Sequence, residues 1–215
     1  MNKVAIRRGR KFEQVIEGAR SVFMAAGYEG ASVDEIARAA GVSKATLYSY
    51  FPDKRLLFLE VLRGECRRQV EEARQDLDHA GCPLKVLGKI ARQIIGFYTS
   101  DFGRNVHRIA VAESARFPEL GREFYRTGPE YAREQIGEFL SAAMEAGVLD
   151  IPDVPLAADQ FVMLCQADLH DRLLLNVQTR FSTAEVDRVA DGAVEMFLAR
   201  YGVRPQPAPG LPPQS

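Results

Sequence analysis

The sequence has no tryptophan, only three cysteines and three histidines among its 215 residues, and no apolar run of about eighteen residues that could span a bilayer. Each shortage removes a class of protein. Cys66, Cys82 and Cys165 are odd in number and widely spaced, which excludes a disulfide framework or a zinc cluster and suits a reducing compartment. The start, MNKVAIRRGR, lacks the apolar stretch of a secretory leader. No segment alternates apolar and polar residues between turn signals, so a sheet is not expected. Catalytic signatures are missing as well. GCPLKVLGKI is only superficially a phosphate loop, because its glycines are too far apart and Ile90 stands where a hydroxyl is needed. No Gly-x-Ser-x-Gly elbow occurs, and His107, His170, Asp168 and Asp171 are too scattered for a metal site. The expectation is a soluble, cytoplasmic protein that is not an enzyme and uses neither cofactor nor metal.

What is present is helical periodicity. With 47% hydrophobic residues the chain can bury one large core or two small ones. Its charge is uneven. Residues 1–55 hold ten Lys or Arg against six Asp or Glu, a net of +4, whereas residues 56–215 hold eighteen against twenty-three, a net of −5. A basic head on an acidic body suits a polyanionic partner, although solvated surfaces reach such a local excess without one.

The most informative stretch is Ser32–Phe51, SVDEIARAAGVSKATLYSYF. Ser32 and Glu35 have capping-box spacing, so a helix begins there. Val33, Ile36, Ala37 and Ala40 give it one apolar face, and Gly41 supplies the positive φ that ends it. Ser43 can cap a second helix, Lys44 to about Phe51, with Leu47 and Phe51 inward and Lys44, Ala45, Tyr48 and Ser49 outward. Two short helices joined by a glycine turn are equally an ordinary helical hairpin and a helix-turn-helix that sets one helix in the major groove of DNA.

Around this stretch, residues 1–9 read as a flexible basic arm. Phe12, Val15, Ile16, Ala19, Val22 and Phe23 form one stripe on a helix from Arg10 to about Ala26, stopped by Gly27. Pro52 ends the second short helix, and Asp53 can cap a long one from Lys54 to about His79. Further helices are expected over Pro83–Thr99, Gly103–Arg116, Glu119–Ala146 with a break at Gly128-Pro129, Pro155–Asn176 and Thr183–Tyr201. The run Phe161–Cys165 is apolar nearly all round, which suggests burial on two sides. Residues 203–215, VRPQPAPGLPPQS, read as a disordered tail. The fold class is all-α: an N-terminal three-helix bundle carrying the helix-turn-helix at 10–55, then a helical body at 56–202.

With the preceding FxxxGYEGASVDEIA and the following FPDKRLLF, the run GVSKATLYSYF closely resembles the DNA-binding domain of the TetR family of bacterial regulators over about residues 10–60. The segment VAESARFPELGREFYRTGPE is similar to the AefR-like branch of that family. The resemblance implies a repressor that binds a palindromic double-stranded DNA operator and is released by a small effector. By position, Lys44, Ala45 and Ser49 become base contacts. Ser43, Thr46, Tyr48, Tyr50 and Lys54 become phosphate contacts, with Ser32 and Val33 close to the backbone. Tyr50 has a second reading as a packed aromatic, Val33 offers only its amide, and Arg7, Arg8 and Arg10 form either a phosphate-binding arm or a plain basic tail. The family also implies a homodimer through the last two helices and a body cavity for a small, partly apolar effector. Phe97, Tyr98, Phe102, Phe117, Phe124, Tyr125, Phe139 and Phe161 are its aromatic candidates, together with Met163 and polar groups at His107, Glu113, Gln166 and His170; simple core or surface packing explains each taken singly. The competing class is a helical small-molecule-binding or catalytic protein whose head makes protein contacts.

Overall fold

A computed structural model describes residues 9–76, 83–115 and 117–203. The basic arm at 1–8, Cys82 and the proline-rich tail from 204 onward lie outside the described residues. Among those residues the chain is helical: α1 Arg10–Gly30, α2 Val33–Ala39, α3 Lys44–Tyr50, α4 Lys54–Asp76, α5 Pro83–Thr99, α6 Asp101–Ser114, α7 Pro118–Tyr125, α8 Tyr131–Glu145, α9 Val154–Gln166, α10 Leu169–Leu174 and α11 Thr183–Tyr201. The extended pairing present is one isolated bridge between Leu149 and Gly202.

Several boundaries differ from the sequence reading, each for a local reason. Gly27 breaks helical geometry as expected (φ 69°, ψ −179°), but the chain re-enters a turn, so α1 runs on to Gly30 across a kink. Helix α6 starts earlier because the Ser100 hydroxyl accepts from Gly103 N at 3.0 Å and caps it. At Gly128-Pro129 the break is a π turn, Arg126–Glu130, that carries α7 into α8. The helix expected over Pro155–Asn176 is instead two, α9 and α10. Asp168 adopts φ 64° and ψ −41° between them, a γ-turn closed by Leu169 N donating to the Ala167 carbonyl at 2.7 Å, and its carboxylate takes ion pairs from Arg172 and Arg188. Burial of Phe161–Cys165 is one-sided: Phe161 and Cys165 are enclosed, whereas Met163 is 59% exposed. The termini of α11 match the expectation, and a second capping box, Ser182 with Glu185, sets its start.

Two apolar cores result. The first joins Phe12, Val15 and Phe23 of α1 to Ile36 of α2, Leu47 of α3 and Leu57, Phe58 and Leu62 of α4, and then takes in Phe102 and Val106 of α6. The second is built from α5, α8, α9 and α11 around Leu87, Leu140, Phe161 and Phe197. Helices α4 and α6 therefore carry side chains of the head's core into the body. Polar ties reinforce the same seam. Glu65 of α4, 4% exposed, accepts from Arg20 Nε of α1 at 3.0 Å and pairs with Arg68. Those two arginines hold its carboxyl below the usual range against the burial that pushes it up. Arg63 of α4 pairs with Glu123 of α7.

The head is fixed by one close approach. A Cβ built on Gly18 would lie 2.5 Å from Ala40 N and 2.7 Å from Ala40 Cα, so α1 and the end of α2 touch through glycine. Because backbone cannot yield as a side chain end can, Gly18→Ala is expected to destabilise the protein by about 1–3 kcal/mol, the usual cost of overpacking. A thermal melt followed by circular dichroism measures it, and an unchanged melting temperature would show that the helices separate freely.

Candidate nucleic-acid interface

The outward face of α3 is assembled by its caps and its inward residues. Leu47 and Phe51 are buried, which turns Lys44, Ala45, Tyr48 and Ser49 into solvent. Ser43 caps the helix: its hydroxyl accepts from Thr46 N at 3.1 Å and lies 2.9 Å from Thr46 Oγ1. Ser49 Oγ donates to the Thr46 carbonyl at 2.6 Å, so its proton is committed while its lone pairs remain available to a base N–H. Tyr50 packs its ring edge-on against Phe12 at 5.8 Å, which fits the packed-aromatic reading for the ring.

The start of α2 lies on the same side. Ser32 Oγ accepts from Glu35 N at 3.1 Å, and Glu35 Oε2 accepts from Ser32 N at 3.1 Å, completing the box. Those bonds from Ser32 hold the Glu35 carboxyl below its ordinary range. Val33 is half-buried and contributes backbone only. Lys54 has a role that its position in the sequence does not reveal. Its Nζ donates to the carbonyls of Tyr28 at 2.9 Å and Ala31 at 3.2 Å and stands 4.3 Å from the Tyr28 ring centroid. One ammonium thus ties the kinked end of α1 to the residue preceding Ser32. Next to it, Arg55 pairs with Asp53 and lies over the Phe117 ring at 3.8 Å, joining the start of α4 to the α6–α7 turn. The Arg55 guanidinium holds the Asp53 carboxyl below its usual range.

In the body, the residues proposed for an effector do not form one lining. Phe102 is in the first core, with Phe97, Phe117 and Phe124 packed against it. Phe161 is in the second, facing Phe197 at 5.1 Å, and Phe139 packs on that core. Tyr125 and Met163 are exposed. The side chain of Glu113 lies outside the described residues. Four polar candidates do converge. The Tyr98 and His170 rings meet edge-on at 6.0 Å, and His107 meets His170 at 5.2 Å. The Gln166 side chain lies close enough to the Tyr98 hydroxyl to act on its proton. Two thiols are buried in the cores on either side, Cys66 of α4 in the first and Cys165 of α9 in the second. Burial pushes both thiols up to about 12. Burial first, and His170 second, hold His107 below its ordinary value, while burial raises Tyr98. His170 Nδ1 is buried and has no hydrogen-bond partner among the described residues. A small void of about 10 Å³ lies between Phe58, Val106, Ile109 and Phe124. A larger groove of about 590 Å³ is open to solvent between α8 and the start of α9.

The profile described as bacterial regulatory proteins, tetR family, matches residues 15–61, and that of the AefR-like transcriptional repressor C-terminal domain matches residues 85–203. The HTH-type transcriptional repressor AcnR of Corynebacterium efficiens is 39% identical over 59 residues, which are 27% of this chain and 31% of AcnR. The chain thus aligns with about a third of that relative's length. A TetR-family regulator from Mesorhizobium loti MAFF303099 superposes with a TM-score of 0.81 at 32% identity, over 92% of this chain and 99% of that one. The flavonoid-responsive regulator FrrA superposes with a TM-score of 0.68 at 34% identity, over 92% of this chain and all (100%) of FrrA.

Two outcomes follow from the geometry. Lys54→Met removes a charged donor from two carbonyls and is expected to cost about 1–3 kcal/mol, read as a lower melting temperature of the head. The lowered His107 means that the unfolded chain binds its proton first as the pH falls below about 6.5. Stability contributed by neutral His107 is therefore full above that pH and lost as the pH drops through the folded value. Melts at pH 7.5 and 5.5 should show the loss, and His107→Asn should make it smaller.

Proposed function

Because the chain belongs to the TetR family of bacterial regulatory proteins, we propose that it is a homodimeric transcriptional repressor that reads a palindromic operator and is released by a small effector. The observation that carries this reading is the capped, outward face of α3, with a short side chain at Ala45 beside hydrogen-bonding groups at Lys44, Tyr48 and Ser49. A helix fits the major groove, and residues at its N-terminal end reach base edges while hydroxyls and amides hold phosphates. Lys44, Ala45 and Ser49 are the proposed base contacts. Ser43, Thr46, Tyr48, Tyr50 and Lys54 hold the backbone, with Ser32 and Val33 at the α2 end.

Pairing of two chains is supported by apolar side chains left exposed on the helices nearest the C-terminus: Leu156 (50%) and Met163 (59%) on α9 and Met196 (63%) on α11. Two copies packed through α9 and α11 would cover them in a four-helix arrangement and set two recognition helices about one duplex turn apart. In the body, the Tyr98, His107, Gln166 and His170 junction is the proposed effector-recognition centre, since a few convergent polar groups in apolar surroundings orient a small ligand. FrrA, which is flavonoid-responsive, supports a partly apolar effector. The effector acts by binding the two head spacings unequally, and a full switch needs a difference on the order of 5 kcal/mol.

Selection from random duplexes tests the DNA reading. The wild type should enrich a two-fold symmetric sequence, and Lys44→Ala should alter the preferred bases in each half-site. Failure to enrich any sequence would favour a head that binds protein. For the assembly, Met163→Lys with Met196→Glu should give monomers in sedimentation equilibrium and lose operator binding. A dimer that persists would place the interface elsewhere.

A further inference from the structure

The ion pair between Asp34 and Lys44 crosses the glycine turn and joins the two helices of the reading element. Lys44 Nζ lies 2.5 Å from Asp34 Oδ1, and both side chains are more than half exposed, at 55% and 60%. Lys44 opens α3, where a side chain reaches base edges. Asp34 lies in the first turn of α2, beside the Ser32 and Val33 groups assigned to the phosphate backbone. The neighbouring carboxylate, Glu35, is engaged in the capping box and does not compete for the lysine. The positive end of α2 favours a carboxylate at Asp34 whether or not Lys44 is present, so the acid stays in place when the lysine leaves.

An acid on a surface that approaches DNA weakens binding to every duplex by repelling phosphates. Here it also neutralises a cation that would otherwise neutralise a phosphate. We infer that Asp34 is a specificity-determining residue, which holds Lys44 off the phosphate backbone and releases it to paired acceptors on a base edge. The inference rests on the DNA-reading role proposed for α3. Its physical basis is a contest among three partners for one ammonium. A solvent-exposed carboxylate holds a lysine weakly, so the pair opens at small cost. Moving to one phosphate leaves Asp34 unpaired in a negative field and returns little. Moving to the O6 and N7 acceptors of a guanine gives Lys44 two directed partners within the groove. The pair therefore penalises binding to unrelated sequence more than binding to the operator.

The test uses the full chain and two duplexes: the sequence enriched from a random library and a scrambled duplex of the same composition. Asp34→Asn should raise affinity for the scrambled duplex about threefold to fivefold, the upper part of the range spanned by an exposed ion pair. Affinity for the enriched duplex should change by less than about twofold, so the specificity ratio falls. On scrambled DNA the slope of log affinity against log salt should steepen by about 0.9, one added phosphate contact. Asp34→Ser should act in the same way, and Asp34→Glu should restore the wild-type ratio. In a Lys44→Met background, Asp34→Asn should lose its effect on the ratio. Equal gains on both duplexes, or an Asp34→Asn effect that survives Lys44→Met, would overturn the inference while leaving the DNA reading intact. A wild type that enriches no sequence overturns both. Circular dichroism melts of each variant separate these effects from a loss of fold.

Discussion

The apolar core shared through α4 and α6 is the constraint on which the rest depends. Leu57, Phe58 and Leu62 of α4 and Phe102 and Val106 of α6 are buried in one cluster with α1, α2 and α3. A head of some fifty residues buries too little surface to be rigid by itself, so it borrows its last layer from the body. The proposed recognition helix, α3, is consequently fastened through this core to α4 and α6, which also belong to the body. Close-packed interiors transmit such displacements, because side chains at native density cannot deform continuously.

Polar contacts follow the same route from the body to the reading face. Glu65 with Arg20 fixes α4 to α1, Arg55 over Phe117 fixes the start of α4 to the α6–α7 turn, and Lys54 fixes the end of α1 to the entry of α2. The Glu65 carboxylate is withdrawn from water and is compensated there by two arginines, Arg20 and Arg68, whose loss would leave a buried charge unpaired. At the reading face the balance is reversed. Its hydroxyls and Lys44 are exposed and hold only weak local partners, which DNA can replace at small cost. Firm junctions behind a loosely tethered face suit an element that must be presented as a unit and still exchange its partners.

The body combines a dry second core with one polar junction. Leu87, Leu140 and Phe161 fill the space between α5, α8, α9 and α11, whereas Tyr98, His107, Gln166 and His170 meet where α5 and α6 face α9 and α10. Placing this junction against α6 matters, since α6 also contributes to the head's core. The γ-turn at Asp168 is what allows it: the break between α9 and α10 turns the chain so that His170 faces Tyr98 and His107. A continuous helix would have kept His170 in register with Met163 and Gln166, one turn apart on a single face.

Local chemistry is what the sequence determined by itself. The Ser32–Glu35 box, the positive φ at Gly41, the cap at Ser43 and the inward Leu47 and Phe51 all involve residues within about one helical turn of each other, so spacing alone revealed them. The outward set on α3 was legible for the same reason. Tertiary structure decided whatever depends on partners distant in the chain. The effector candidates divided between two cores and the surface, because an aromatic stripe reports that a helix face is buried but not against what. The Asp168 carboxylate at the break pairs with Arg188, twenty residues further on, and the engagement of Lys54 rests on carbonyls twenty-three and twenty-six residues back. Asp34 and Lys44 stand ten residues apart across a turn, and only the angle between α2 and α3 brings the carboxylate to the lysine. Periodicity encodes which side of a helix is buried; the fold supplies the neighbour, and the neighbour fixes what each exposed or buried group can do.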